Sequence, residues 1–473
     1  MVLSRHQSQP KETAPVKLSR SQVRRKTSSL PVLRFEDQKL TSFSGLLLFH
    51  LLFSRLQLKE RLRRCFRPLP RSTAYDLPTI VLELILHLLL GFRQLRDAAY
   101  YRDDPMVHRV LGLNRLPDVA TVSRILASAD ADGIACLRQL CRQLVQERLA
   151  QLDLRRITLD FDGSVIGTGR RAEGAAVGFN RNKKGQRSYY PLFCTVAQTG
   201  QVFDVLHRPG NVHDSKGAET FIQACVEALQ EALVGIQIEV RMDSAFFSDA
   251  LVRRLEQMGV EFTLSVPFER FIELKSQIEA RRRWLPLGSG RWFFELLWKP
   301  KSWEHRHRFV VVRSQATVRD PGPVQLELFE PQVAGYEFKV VLTNKSTGAR
   351  SVVDFHDGRG AQEGAFAELK SQGQLDYVPT QRLAGNQLFL LCAILAYNLN
   401  RELQMTVQPQ SRGTAPQRPP LWQFERLQTL RNKLIQRAGR FTEPQGRLTL
   451  TMSANEAVRE ELLHYMETLQ KAA

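Results

Sequence analysis

The run ITLDFDGS (157–164) reads as a buried strand, yet it carries two aspartates, Asp160 and Asp162, two positions apart. Strand alternation puts both on one face, where carboxylates rarely sit without a partner. The run opens a series of strand-like segments at 156–162, 188–198 and 202–208, separated by turns such as QTGQ (198–201) that suit hairpins. A helical stretch at 214–233, a strand at 236–243, a helix at 246–258 and a strand at 260–266 follow. The order β-β-β-α-β-α-β limits the chain to an α/β sheet with helices on its faces. The fourth strand, IQIEVRMD (236–243), also stops on an acid, Asp243.

That order is shared by the ribonuclease H-like fold, in which the first and fourth strands are neighbours, so Asp162 and Asp243 are expected to converge. Two carboxylates at short range repel. A divalent cation removes that cost, and Mg2+ favours hard oxygen ligands of this kind.

Around this core the pattern changes several times. Residues 1–40 form a basic arm expected to be disordered, with eight Lys or Arg and one acid in the first 34 positions. Residues 41–150 are mostly helical in pattern. There LPDVATVSRILASAD (116–130) sets Thr121, Ser123 and Arg124 at a helix start, which fits a helix-turn-helix recognition helix and a plain amphipathic helix equally. The first part of the core spans 151–271. Residues 272–345 hold strand-like segments and four of the five tryptophans, and read as a β-rich insertion. The second part of the core is 346–404. A Pro- and Gln-rich linker (405–420) and a small C-terminal unit (421–473) end the chain.

The charge of +19 on 473 residues points to a polyanionic partner, nucleic acid or an anionic membrane. The stretch LPTIVLELILHLLLGF (77–92) is interrupted by Glu83 and His87 and is short for a span, so it reads as a buried helix. The six cysteines show no zinc spacing and read as buried free thiols. Both readings set membrane and zinc aside.

A third carboxylate is sought in FHDGRGAQEGAFAELK (355–370), which offers Glu363 and Glu368. At about 100° per residue, Arg359, Glu363 and Lys370 share one helix face, and Glu368 lies roughly 140° away from Glu363. A surface helix with an i,i+4 ion pair explains the same pattern, so spacing alone leaves both open.

Asp162, Asp243 and Glu363 resemble the DDE triad of insertion-sequence transposases. His356, Arg359, Glu363 and Lys370 are similar to the Y-two-R-three-E-six-K signature of the hairpin-type, insertion-sequence 4-like group, with His in place of Tyr. GFNRNKKGQRSYYPL (178–192), HRPGNVHDS (207–215), RMDSAFFS (241–248) and LRDAAYYRDDPMVHRVLGLNRLPDVATVSR (95–124) look like the insertion-sequence 1380 family, over residues 75–403.

The resemblance implies a ribonuclease H-like catalytic core interrupted by the β-rich insertion, with a helical N-terminal DNA-binding region. It implies cut-and-paste transposition by metal-dependent strand cleavage, hairpin formation and strand transfer. Asp162, Asp243 and Glu363 would be the catalytic metal ligands for two Mg2+ ions, with Mn2+ able to substitute. Asp162, followed by Gly163 and Ser164, fits the family's catalytic position better than Asp160, which becomes a supporting acid, as His356 becomes a supporting group. Arg359 and Lys370 would hold phosphates. Arg181, Lys183, Lys184 and Arg187, among aromatics after the first strand, would contact DNA. Trp292 or Trp298 of the insertion would pack in the core or stack on a flipped base. His207, His213 and Asp214 read as loop hydrogen-bonding groups. The implied partners are double-stranded DNA at the terminal inverted repeats, target DNA and a second copy of the chain, in a bacterial cytoplasm. The alternative is a transposase-derived DNA-binding protein without cleavage.

Overall fold

The computed structural model describes residues 30–66, 75–169, 171–178, 183–212, 216–315, 332–333 and 335–471. Residues 1–29 of the expected arm lie outside them. Met1–Gln38 forms one unit, whose described part, 30–38, has no helix or strand; Lys39–Ala473 forms the other.

The second unit begins with helices α1 (Leu46–Arg55), α2 (Leu58–Cys65), α3 (Leu77–Leu90), α4 (Pro105–Leu111), α5 (Val119–Ala127) and α6 (Ala131–Ala150). The last four each start on an aspartate whose side chain accepts from the backbone N–H of the second or third helical residue: Asp76, Asp104, Asp118 and Asp130. Pro at the first turn of α3 and α4, and left-handed Gly91 and Gly112 after their ends, complete the stop and start signals. Twelve of the 14 residues of α3 are buried, Glu83 and His87 among them, the burial that so apolar a helix demands.

A ten-stranded mixed sheet follows. Its main strands are β1 (Arg156–Gly163), β2 (Leu192–Val196), β3 (Val202–Leu206), β4 (Gln237–Met242), β5 (Glu261–Ser265), β6 (Leu285–Gly288), β7 (Arg291–Trp298), β8 (His307–Gln315) and β9 (Tyr336–Thr343). In space they run β6-β7-β8-β9-β5-β4-β1-β2-β3. β1 is antiparallel to β2 and parallel to β4, and β4 is parallel to β5. The strands expected as an insertion are joined to the sheet: β9 pairs antiparallel with β5 through Thr343–Thr263, Leu342–Leu264 and Val341–Ser265. The β-rich stretch lengthens the sheet that carries Asp162, after a short helix α9 (Ile272–Glu279).

The two faces of β1 differ. Ile157, Leu159 and Phe161 pack with α7 (Ala218–Ala232) and α8 (Asp249–Gln257) in one apolar cluster. Thr158, Asp160 and Asp162 point the other way, toward α10 (Ala349–Asp357), α11 (Ala361–Ser371) and the central helix α12 (Leu383–Val407). Among the described residues α12 is the one helix long and apolar enough to cross a membrane, and 83% of its apolar window is buried inside the protein. It packs against α3, α5 and α6 and binds the helical region to the sheet.

Residues 405–420, expected as a linker, continue α12 to Val407 and then lie against the sheet. Arg418 donates to Glu239, and the Gln417 carbonyl accepts from Arg241 at 2.6 Å. The passage is tight at Gly358, where a Cβ would stand 2.0 Å from that carbonyl. The chain ends with strands at Gly439–Thr442 and Thr449–Met452, paired with Leu40–Thr41, and helix α13 (Glu456–Lys471).

Candidate active site

The parallel register of β1 and β4 sets up a series of polar rungs on one face. Thr158 lies opposite Glu239, and Asp160 opposite Arg241. The Thr158 hydroxyl donates to Glu239 at 3.0 Å. Burial alone would raise the Glu239 carboxyl, but Arg418 and Lys345 outweigh it and hold it down to about 2. Arg241 forms a fork with Asp160, Nε to Oδ1 at 2.5 Å and Nη2 to Oδ2 at 2.7 Å, with both side chains almost wholly buried. Burial still pushes the Asp160 carboxyl above its ordinary value, against the pull of Arg241.

The next residue on each side is an acid, Asp162 after Phe161 and Asp243 after Met242. The last pair of the register is Phe161–Met242, so Asp162 and Asp243, the residue that follows β4, stand at the same end of the two strands. Adjacent strands lie about 4.8 Å apart. Asp243 keeps an extended backbone (φ −85°, ψ −178°), and its carboxylate caps the turn Ser244–Phe246 by accepting from Ala245 N at 3.0 Å. The Asp162 carboxylate accepts from Gly163 N at 2.8 Å. Two acids at the mouth of adjacent parallel strands gather negative charge where a ligand in an open α/β sheet is expected, beyond the carboxyl ends of the strands.

Arg359, in the turn between α10 and α11, answers that charge. Its Nη1 lies 3.3 Å from Asp162 Oδ2 and its Nη2 3.9 Å from Glu363 Oε1. One guanidinium therefore joins Asp162 to Glu363, residues far apart in the chain and on different elements. Glu363 stands in the first turn of α11 with its side chain 69% exposed. Glu368, on another side of the helix, is buried and engaged at both oxygens: Arg401 Nη2 donates at 2.6 Å and Leu427 N at 2.7 Å. Gln362 points inward and donates to the Asp160 carbonyl, which docks α11 on β1.

The family described as transposase DDE domain group 1 matches residues 25–473. The chain belongs to that family. Among solved structures, the piggyBac transposase in a synaptic complex with hairpin DNA is similar at 12% identity and a TM-score of 0.42, over 91% of this chain and 85% of that one. No curated protein sequence matches.

Members of a DDE transposase family use divalent metal ions, and the donor chemistry of Asp162 and Asp243 suits such an ion: anionic oxygens at one mouth of the sheet. The third carboxylate is not gathered with them. Among the described residues, no three His, Cys, Asp or Glu side chains are clustered as a metal site. Arg359 is seated where Glu363 would join Asp162.

Lys370, near the end of α11, is half-buried. Burial holds its ammonium below the ordinary value, and the charges of Asp376 and Asp162 pull it back up. His356 does not face the acids. It is 2% exposed, with Nδ1 3.0 Å from Thr263 Oγ1 and Nε2 2.8 Å from Ser265 Oγ on β5. Burial, then Lys339, Arg359 and Arg241, pushes its imidazole well below the ordinary value and keeps it neutral. The neutral ring has one donor and one acceptor nitrogen, and both are used in fastening α10 to the sheet.

Of the loop residues, Arg181, His213 and Asp214 lie outside the described residues. Lys183 and Lys184 are exposed. Arg187 opens a three-residue strand between Ile166–Gly167 and Ala176–Val177, a small sheet just beyond Asp162, and donates to the Ala175 carbonyl at 3.1 Å. His207 packs against Tyr189 at 4.4 Å between ring centres, the planes tilted by 58°, and burial holds it down to about 4. In α5, Val122, Ile125 and Leu126 turn inward, whereas Thr121 and Ser123 are half-buried and Arg124 is exposed, donating to Thr121 at 3.3 Å. The same helix thus has an apolar inner face and a polar outer one. Trp298 is core, edge-on to Phe271 and Phe309. Trp292 is half-buried beside Arg313, whose guanidinium also lies over Trp284 and Tyr336.

Arg241 is the residue that sequence reasoning passed over. Its signal was present: RMD in β4 repeats the spacing of DFD in β1, so a parallel register pairs acid with base and leaves the next two acids at one end.

Proposed function

We propose that this transposase cuts and rejoins DNA with Asp162, Asp243 and Glu363, on a core of the ribonuclease H type, as an insertion-sequence enzyme of the 1380 kind. The strand order β5-β4-β1-β2-β3, with β1 antiparallel to β2 and parallel to β4, supports that core. The observation that carries the reading is the parallel register of β1 and β4, whose last pair, Phe161–Met242, is followed on each side by an acid, with Arg359 joining Asp162 to Glu363.

Asp162 and Asp243 would hold the metal, and the exposed Glu363 side chain reaches it through a change of rotamer, which costs little at a free surface. A divalent cation there, Mg2+ with Mn2+ as substitute and two ions in the complete site, supplies charge to the scissile phosphate and acidifies the attacking water. Arg359 then exchanges its carboxylates for phosphate oxygens, using forked donors suited to both. Lys370 adds a point charge on the same side. Asp160, locked to Arg241, and His356, locked to β5, keep β1 and α10 in place and touch no substrate. Cleavage frees a 3′-OH that attacks the opposite strand to close a hairpin, and later the target. Each step is an in-line phosphoryl transfer, so positioning and charge do the work.

The helical region 41–150, the outer face of α5 and the loop with Arg181, Lys183, Lys184 and Arg187 would bind the terminal inverted repeats. Two copies would join two ends, in a bacterial cytoplasm. A second reading, a DNA-binding protein of transposase descent without cleavage, is favoured by one observation, the seat of Arg359 between Asp162 and Glu363.

Product analysis on DNA carrying the element's own ends separates them. Hairpin ends and strand transfer in Mg2+ or Mn2+ are expected. Binding without strand breaks in either metal rejects the first reading.

A further inference from the structure

α1 and α2 meet at a turn in which Gln57 holds a left-handed backbone, φ 51°. A non-glycine residue there is uncommon and is retained where the surroundings demand it. A cavity of about 500 Å³ opens at this turn, lined by His50, Ser54, Gln57, Lys59, Arg63 and Arg64 among others. Gln57, Arg63 and Arg64 are exposed, so the cavity faces solvent.

Its charges do not balance. Glu60, the acid in its wall, is engaged by Arg63 at 3.8 Å and Arg64 at 3.4 Å on its own helix. Lys59 is half-buried, and its side chain makes no ion pair or hydrogen bond among the described residues. Its ammonium lies over Gly112 at the end of α4, 3.7 Å from where a Cβ would stand. Burial, and then Arg63, holds Lys59 below its ordinary value. Burial, then Lys59 and Arg109, does the same to His50. A half-buried cation crowded by other cations is costly unless an anion joins it. A cost that the fold does not need points to function.

We propose that this cavity seats a phosphate of the DNA backbone, met by Lys59 and Arg63 of α2, both in its wall. The inference rests on the reading of the chain as a DNA-acting transposase and gives one phosphate contact of its helical region a place. Lys supplies a point charge and Arg a forked donor, and the exposed Gln57 amide adds a neutral one. Such a contact fixes the protein's position on the duplex and carries no sequence information.

The test is binding of the full chain to a labelled random-sequence duplex, without divalent metal, over a range of salt concentrations. For Lys59→Gln/Arg63→Gln the slope of log K against log salt should fall by about one, since each neutralised phosphate contributes ~0.9. The control pair Arg459→Gln/Lys471→Gln on α13 should leave it unchanged. Inorganic phosphate should raise the melting temperature of the wild type above that in chloride of equal ionic strength, and should not raise that of the pocket variant. The pocket variant itself should melt no lower than wild type, because like charges have been removed. Arg63→Gln alone, at an exposed position, should give a smaller drop in slope should the double variant fold poorly. An unchanged slope in both pocket variants, or an equal drop in the control pair, overturns the proposal. Cleavage is absent from this assay, so a chain that fails to cut DNA but shows the slope change keeps the pocket, and one that cuts normally with an unchanged slope loses it.

Discussion

Arg241→Met removes the base from the acid–base rung beside the proposed catalytic pair, and its cost follows from burial. The Arg241 side chain has no exposure and that of Asp160 3%. Four contacts vanish: two to Asp160, one to the Phe355 carbonyl at 3.0 Å and one to the Gln417 carbonyl at 2.6 Å. Met keeps most of the volume, so the loss is electrostatic. Leaving one member of a buried ion pair alone costs about 3–5 kcal/mol, a large share of the ~5–15 kcal/mol that stabilises a folded domain. The loss depends on pH. Burial already raises the Asp160 carboxyl, with Arg241 opposing it, so the variant raises it further. The native state then keeps a proton that the unfolded chain has lost, and destabilisation grows as pH rises above the carboxylate range and shrinks in acid. Urea denaturation followed by tryptophan fluorescence at pH 4.5 and pH 7.5 measures this. Asp160→Asn/Arg241→Met should recover most of the loss, since replacing both partners is often near neutral. A single variant as stable as wild type, or a double variant no better than the single, refutes the account of Asp160 as a structural acid.

Burial in α3 holds Glu83 up at about 8, against an ordinary 4.5. The native state therefore keeps a proton across that window, and stability should fall with rising pH by up to ~1.4 kcal/mol per unit. Glu83→Gln should flatten melting temperature between pH 5 and pH 8, and parallel curves for the two proteins would contradict this. Glu363→Gln should abolish strand cleavage with an unchanged melting curve. Glu368→Gln should lower the melting temperature, since it weakens the hold on Arg401 and Leu427 N; the reverse pattern would exchange their roles. Asp204→Asn should cost about 3 kcal/mol or more in denaturant titration, because it leaves Arg138 and Arg142 without the buried acid that binds α6 to β3.

The rungs of β1 and β4 were legible because they are local: alternation orders the residues of each strand, and the β-β-β-α-β-α-β succession makes the two strands neighbours. Helical spacing put Glu363 and Glu368 on different sides of the helix without choosing between them, and the structure gives that difference its physical content, one side chain at the surface and one between Arg401 and Leu427. Other features depend on contacts that no local pattern carries. The pairing of β9 with β5, which merges the expected insertion with the sheet, links residues distant in the chain, such as Thr263 and Thr343. The Pro- and Gln-rich composition of 405–420 suits a linker equally with a strap, and only the carbonyl of Gln417 on Arg241 and the guanidinium of Arg418 on Glu239 distinguish them. His356 occupies the position of a family tyrosine in sequence spacing, yet its ring is committed to Thr263 and Ser265, two hydroxyls from another strand.

The central claim is that the Asp162–Asp243 pair, and not the Asp160–Arg241 rung, performs metal-dependent cleavage. The most direct measurement is a nicking assay on element-end DNA in Mg2+, comparing Asp162→Asn, Asp243→Asn and Asp160→Asn/Arg241→Met at equal folded fraction. The account predicts loss of nicking by a factor of ~10³ or more for each of the first two, as expected when charge stabilisation of the transition state is removed. It predicts nicking within about tenfold of wild type for the third. Nicking by Asp162→Asn or Asp243→Asn at the wild-type rate would contradict it.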